Sequence, residues 1–145
     1  MKTKNLLLVA ALLFMVLGNY SMLTAQISVI VSKSSANTAS KSEIKDIFLG
    51  SKLLWAHGGK ITVVDQSGSE TGSTFYAGFL GKSVNQVRVQ WTKLVLSGQA
   101  SAPLKAATDE DVKKAVAANG NAIGYISSSS LDKSVKEIFK IKEDK

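Results

Sequence analysis

Short β-branched runs alternating with amphipathic stretches constrain the fold of this chain more tightly than any other feature of its sequence. Ile27 to Val31 (ISVIV), Ile61 to Val64 (ITVV) and Ala122 to Ile126 (AIGYI) are short apolar runs of the kind that form buried strands. The segments between them carry helix signals. Ser40 with Glu43 three residues on is a capping box, Ile44, Ile47 and Phe48 supply an inward face, and Gly50 provides a left-handed stop. Leu53-Leu54-Trp55 is an apolar patch before a Gly58-Gly59 turn. Phe75, Phe79 and Leu80 recur at helical spacing and stop at Gly81. Ser83 with Gln86 opens a further helix whose inward stripe is Val84, Val87, Trp91, Leu94 and Val95, ending near Gly98. A loop with the only proline, Pro103, leads to Thr108, which caps a helix from Asp109 to Ala118. Asp109, Glu110 and Asp111 suit the positive end of that helix dipole.

After the third strand, Ser127 to Leu131 reads as a turn or short helical piece. Val135 to Phe139 fits a strand or a short helix, and Lys140 to Lys145 is expected to fray. The order β-α-β-α-α-α-β, with or without a terminal strand, predicts an α/β layer: a mixed, mostly parallel sheet flanked by helices.

The domain that folds this way begins after a leader. Lys2 and Lys4 precede Leu6 to Leu17 (LLLVAALLFMVL), twelve residues without a polar side chain, and small residues close the segment at Thr24-Ala25. A charged start, a short apolar run and a small-residue exit form a cleavable signal peptide. The run falls short of the about 20 apolar residues that span a bilayer. Residues 1–25 are therefore read as the leader and residues 26–145 as one domain, placed in the periplasm or secreted. The chain has no cysteine, so neither a disulfide nor a lipid-modified cysteine can hold or tether it. Without Lys2 and Lys4 the formal charge falls from +7 to +5, a mildly basic surface that favours anions. The lysines are dispersed and Arg88 is the only arginine, which argues against nucleic-acid binding.

The candidate site is the strand–loop–helix from Val63 to Phe75. Its loop, Asp65-Gln66-Ser67-Gly68-Ser69-Glu70-Thr71-Gly72-Ser73-Thr74, is rich in glycine and hydroxyls. Such a loop, leaving a strand and opening a helix, presents free N–H groups and hydroxyls to phosphate, sulfate or carboxylate, at the carboxyl end of a strand where α/β sheets hold their ligands. It is neither a Walker A sequence nor GxGxxG. Catalysis has little to work with. His57, the sole histidine, sits beside Gly58-Gly59 as an exposed loop residue, and no G-x-S-x-G elbow presents a serine. With no cysteine, one histidine and scattered acids, neither a metal site nor a cofactor is expected, and Asp109-Glu110-Asp111 lacks calcium-loop spacing. Trp55 and Trp91 read as core anchors.

Four segments resemble the phosphate-binding proteins of ABC transporters. Glu43 to Gly50 (EIKDIFLG) resembles that family's I-F-L-G segment, and Val63 to Phe75 is similar to its strand–loop–helix phosphate motif. Gln90 to Gly98 (QWTKLVLSG) resembles the W-x-x-L-V-F-x-G stretch of short, single-lobe relatives, and Asn121 to Ile126 (NAIGYI) the G-A-I-G-Y-V strand. The segments keep the family's order and cover most of residues 27–126. The resemblance implies one lobe of a type II periplasmic-binding-protein-like fold, the second lobe with its entering strand.

It also implies a non-enzymatic receptor for phosphate or a similar oxyanion, associated with phosphate ABC transport, with Ser69, Thr71, Gly72, Ser73 and Thr74 as the anion cradle. Two departures bear on this. The other lobe's serine and threonine ligands have no counterpart. Gln66 or Ser67 also stands where the family carries arginine, while Asp65, Ser69 or Glu70 lies near its aspartate and Thr71-Gly72-Ser73 fits its Ser-Gly-Thr. Arg88 reaches the site only if its helix points it there. A half-site without arginine implies weak binding, and a membrane transporter, another envelope protein or a second copy of the chain would have to supply the missing wall. The alternative is an envelope protein-interaction module whose anion site is vestigial.

Overall fold

The computed structural model describes residues 26–142; the leader read at residues 1–25, and residues 143–145, lie outside the described residues. In chain order the elements are β1 (Ile27–Ser32), α1 (Lys41–Phe48), β2 (Thr62–Asp65), α2 (Glu70–Thr74), a π-helical continuation of α2 (Phe75–Leu80), α3 (Val84–Leu96), β3 (Leu104–Lys105), α4 (Asp109–Ala117), β4 (Ala122–Ser127), a 3-10 turn (Ser128–Ser130) and β5 (Val135–Ile141). They build a five-stranded sheet in the order β3-β2-β4-β1-β5. β2 runs parallel to both β3 and β4, and β1 antiparallel to both β4 and β5, so four strands share one direction and β1 opposes them. The expected α/β class and mixed sheet are what the chain forms.

The strand alternation sorts side chains between two apolar layers. Ile27, Val29 and Val31 of β1 join Val63, Ile123 and Tyr125 in the larger core, under α1, the π-helical segment and α3. Ile30, Val64, Ala122 and Ile126 point the other way, onto Val112 and Val116 of α4. Helix starts are set locally: both capping boxes, Ser40/Glu43 and Ser83/Gln86, are formed, and the Thr108 hydroxyl accepts from the Asp111 N–H. Both tryptophans are buried anchors, the Trp55 indole N–H donating to the Asn121 carbonyl at 3.0 Å and that of Trp91 to the Phe48 carbonyl at 2.9 Å.

α4 carries a buried lysine that is fully answered. Lys113 Nζ lies 2.7 Å from both Glu110 and Asp132 and 3.0 Å from the Ser130 carbonyl. The Lys113 ammonium, with the Ser134 hydroxyl, holds the Asp132 carboxyl far below the usual carboxylate range.

Four expectations need correction. The segment from Phe75 widens to π-helical pitch instead of continuing the 3.6-residue spacing, with the Gly81 N–H reaching back to the Tyr76 carbonyl at 2.9 Å. The wider turn places Phe75, Tyr76, Phe79 and Leu80 together on the core side. Val95 is exposed, because Val87, Trp91 and Leu94 already fill the face α3 presents to the core. The loop after Pro103 contains β3, whose Leu104 and Lys105 align with Val64 and Asp65. Finally, Val135 onward is a strand, and Lys140 and Ile141 belong to it because they pair with Ser28 and Ile27. Among the described residues no helix is long and apolar enough to cross a membrane.

Candidate functional site

The chain leaves β2 at Asp65, and two tyrosines fix that point. Asp65 accepts from the Tyr125 hydroxyl at 2.7 Å and from the Tyr76 hydroxyl at 3.0 Å. Burial, reinforced by the Asp65 charge, pushes both phenols well above their ordinary range, so they remain donors. Gln66 follows, and its side chain turns inward, fully buried. Its amide nitrogen donates to Asp109 and to the Tyr125 carbonyl, both at 2.8 Å. Asp109 in turn accepts from Ser130 at 2.6 Å. The side chain at one of the two positions where the resemblance expects arginine is thus a tie between the loop, α4 and β4.

The loop then folds back to start α2. The Ser69 hydroxyl lies 2.8 Å from both the Gln66 carbonyl oxygen and Oε1, and accepts from the Gly72 N–H at 3.0 Å. Ser69 is therefore the N-cap, its hydroxyl engaged within the loop. Gly72 is buried against the loop: a Cβ there would sit 2.1 Å from the Gln66 carbonyl oxygen and 2.8 Å from Ser67 Cα. The Ser73 N–H reaches the Ser69 carbonyl at 3.0 Å. Of the first-turn amides, those of Glu70 and Thr71 keep no partner within the helix by its geometry.

The five cradle residues do not all face one point. Ser69 and Gly72 meet inside the cap. Thr71 is half-buried and Ser73 exposed, its hydroxyl 3.3 Å from the Ser69 carbonyl. Thr74 lies on the wall of a separate cavity against α1.

The helix phase decides where Arg88 goes. α3 places it on the wall of a cavity of about 560 Å³ that Ser67 and Gly68 of the loop also line, together with Asp65, Tyr76 and Lys105. Two cations, from α3 and β3, thus share a cavity with the start of the loop. The roles of Asp65 and Gln66 escape a reading of the sequence, since their partners lie 60 and 43 residues away respectively. Arg88 had a weak signal: it follows inward Val87 and precedes Trp91 by three positions. His57 is exposed, as expected, and meets Asn37 at 3.0 Å.

No protein-family model and no curated protein sequence matches this chain. Its likeness is to solved structures. A phosphate ABC transporter substrate-binding protein from Clostridium perfringens, determined with phosphate bound, is 28% identical, with a TM-score of 0.60 over 79% of this chain and 45% of that one. This is the fold of one lobe of a phosphate ABC transporter substrate-binding protein. An ABC-type phosphate transport receptor from Vibrio cholerae shares the fold at 23% identity and a TM-score of 0.61, over 80% of this chain and 47% of that one. The PstS protein of Borrelia burgdorferi does so at 16% identity and 0.54, over 72% and 42%. The chain therefore spans less than half the length of these substrate-binding proteins.

Proposed function

We propose that this chain is an exported, non-enzymatic binding protein for phosphate or a similar tetrahedral oxyanion, acting beside a phosphate ABC transporter. In this reading residues 1–25 are a cleaved leader and residues 26–145 the working lobe, free in the periplasm. The observation that carries the proposal is the loop from Asp65 to Thr74, which opens a helix at the carboxyl end of β2 and whose Asp65, Ser67 and Gly68 line a cavity with Arg88 and Lys105. Helix-start amides and hydroxyls suit an anion because donors and dipole point the same way. Arg88, on the wall of that cavity, supplies the guanidinium that Gln66 does not, a planar fork suited to phosphate. Glu70 and Thr71 contribute free amides, and Thr71 and Ser73 hydroxyls, while Thr74 faces the cavity against α1.

This lobe tested by itself leaves the anion partly in water, where a neutral hydrogen bond gains only about 1 kcal/mol. The dissociation constant is accordingly expected on the order of a millimolar, or about −4 kcal/mol. Calorimetric titration with phosphate at low salt tests this beside the double variant Thr71→Ala/Ser73→Ala and beside Arg88→Ala. Each variant should bind at least about tenfold more weakly, since a hydrogen bond to a charged group contributes roughly 1.5–3 kcal/mol. Equal heats in all three proteins, or none in any, would sink the idea.

The second reading, an envelope interaction module with a vestigial anion site, draws on the inward burial of Gln66. Pull-down from envelope extracts separates the two. A stoichiometric protein partner indifferent to phosphate speaks for the module.

A further inference from the structure

A second cavity, of about 530 Å³, lies where α1 and the π-helical segment meet the paired ends of β1 and β5. Four lysines line it: Lys41 and Lys45 from α1, Lys140 from the end of β5 and Lys142 just past it. Among the described residues no aspartate or glutamate does. Among the described residues none of the four lysines is in an ion pair, and Glu43 of α1 is turned to Lys52 at 3.6 Å. Four ammonium groups gathered around one opening repel each other, and their summed field concentrates anions there.

The floor is of the opposite character. Ile27 and Phe79 are buried in it, and Phe139 and Ile141 are half-buried beside them. The Phe79 and Phe139 rings are 6.3 Å apart, and Lys45 Nζ lies 5.3 Å from the Phe79 ring centre. The volume is within the range of small-molecule sites. Neither half of this arrangement alone selects a ligand. Inorganic phosphate would use the cationic rim and leave the floor wet, whereas a neutral hydrocarbon would use the floor and leave four charges unanswered.

We propose that this cavity binds an amphiphilic organic anion: an apolar body on the Phe79 and Phe139 floor, with a phosphate or carboxylate head among Lys41, Lys45, Lys140 and Lys142. The site is separate from the Arg88 cavity and shares with the proposed phosphate cradle only Thr74, which lines its wall.

Titration of the purified protein with monomeric octyl phosphate, octanol and inorganic phosphate tests it. Octyl phosphate should bind at least tenfold more tightly than octanol. Lys140→Gln/Lys142→Gln, two exposed changes that leave the core intact, should weaken octyl phosphate about tenfold with an unchanged melting temperature. Thr71→Ala/Ser73→Ala should leave octyl phosphate binding in place, which separates this proposal from the fate of the phosphate cradle. Equal affinity for octanol and octyl phosphate would overturn the proposal, as would a lysine variant that binds like the parent. Protein that pellets with phosphatidylglycerol vesicles while ignoring monomeric octyl phosphate would also overturn it, by assigning the charge to a membrane surface and not to the cavity.

Discussion

Replacing Gly72 with alanine is expected to destabilise the protein by about 1–3 kcal/mol and to weaken phosphate binding by about tenfold or more. The added Cβ would lie 2.1 Å from the Gln66 carbonyl oxygen and 2.8 Å from Ser67 Cα. Both obstacles are backbone, so no side chain can swing away to make room. The loop must lift off the first turn of α2. Lifting it breaks the Gly72 N–H bond to Ser69 and disturbs the Gln66 amide that ties the loop to Asp109 and the Tyr125 carbonyl. Fold and site share this contact, so both readouts should move together. Urea denaturation and phosphate titration of Gly72→Ala measure them. A variant within about 0.5 kcal/mol of the parent, the ordinary range for a neutral surface change, would show that the loop is not held by this close approach.

Phe75→Ala should be more destabilising still, at about 3–5 kcal/mol. Phe75 is completely buried where the loop helix meets the sheet. Its ring stacks on Tyr125 at 3.8 Å and 9°, and meets Phe48 edge-on at 4.9 Å. Truncation opens a cavity between α1, the π-helical segment and β4, and loses aromatic pairs that contribute about 0.5–1.5 kcal/mol each beyond buried area. Domains of this size hold only about 5–15 kcal/mol in total, so a large share of the stability would go. Chemical denaturation followed by tryptophan fluorescence reads the loss directly, because Trp55 and Trp91 are both in the same core. A loss below about 1 kcal/mol would mean that the aromatic cluster repacks around the gap.

The helix starts were legible in the sequence because each is decided within four residues. Ser40/Glu43, Ser83/Gln86 and Thr108 need no distant partner to form their caps. The strands β1, β2 and β4 were legible because their apolar runs are buried on both faces. β3 was not, since two exposed residues carry no pattern and their pairing with Val64 and Asp65 comes from 40 positions away. β5 was ambiguous because Lys136, Glu137 and Lys140 interrupt its apolar residues; pairing with β1 decides it. The candidate loop stood out by composition. The inward turn of Gln66, the capture of Ser69 as a cap and the anchoring of Asp65 by two tyrosines depend on partners that only the assembled sheet brings near. The direction of Arg88 depends on the phase of α3, which a sequence fixes only to within a residue or so.

Amide chemical-shift mapping of the 15N-labelled protein during phosphate titration tests the central claim most directly, because weak binding still shifts the residues it touches. The loop account predicts saturable shifts at the Glu70, Thr71, Gly72 and Ser73 amides and at the Arg88 side chain, whether or not the lysine rim at Lys41, Lys45 and Lys140 also responds. Shifts confined to those lysines, or none at the loop at saturating phosphate, would contradict it.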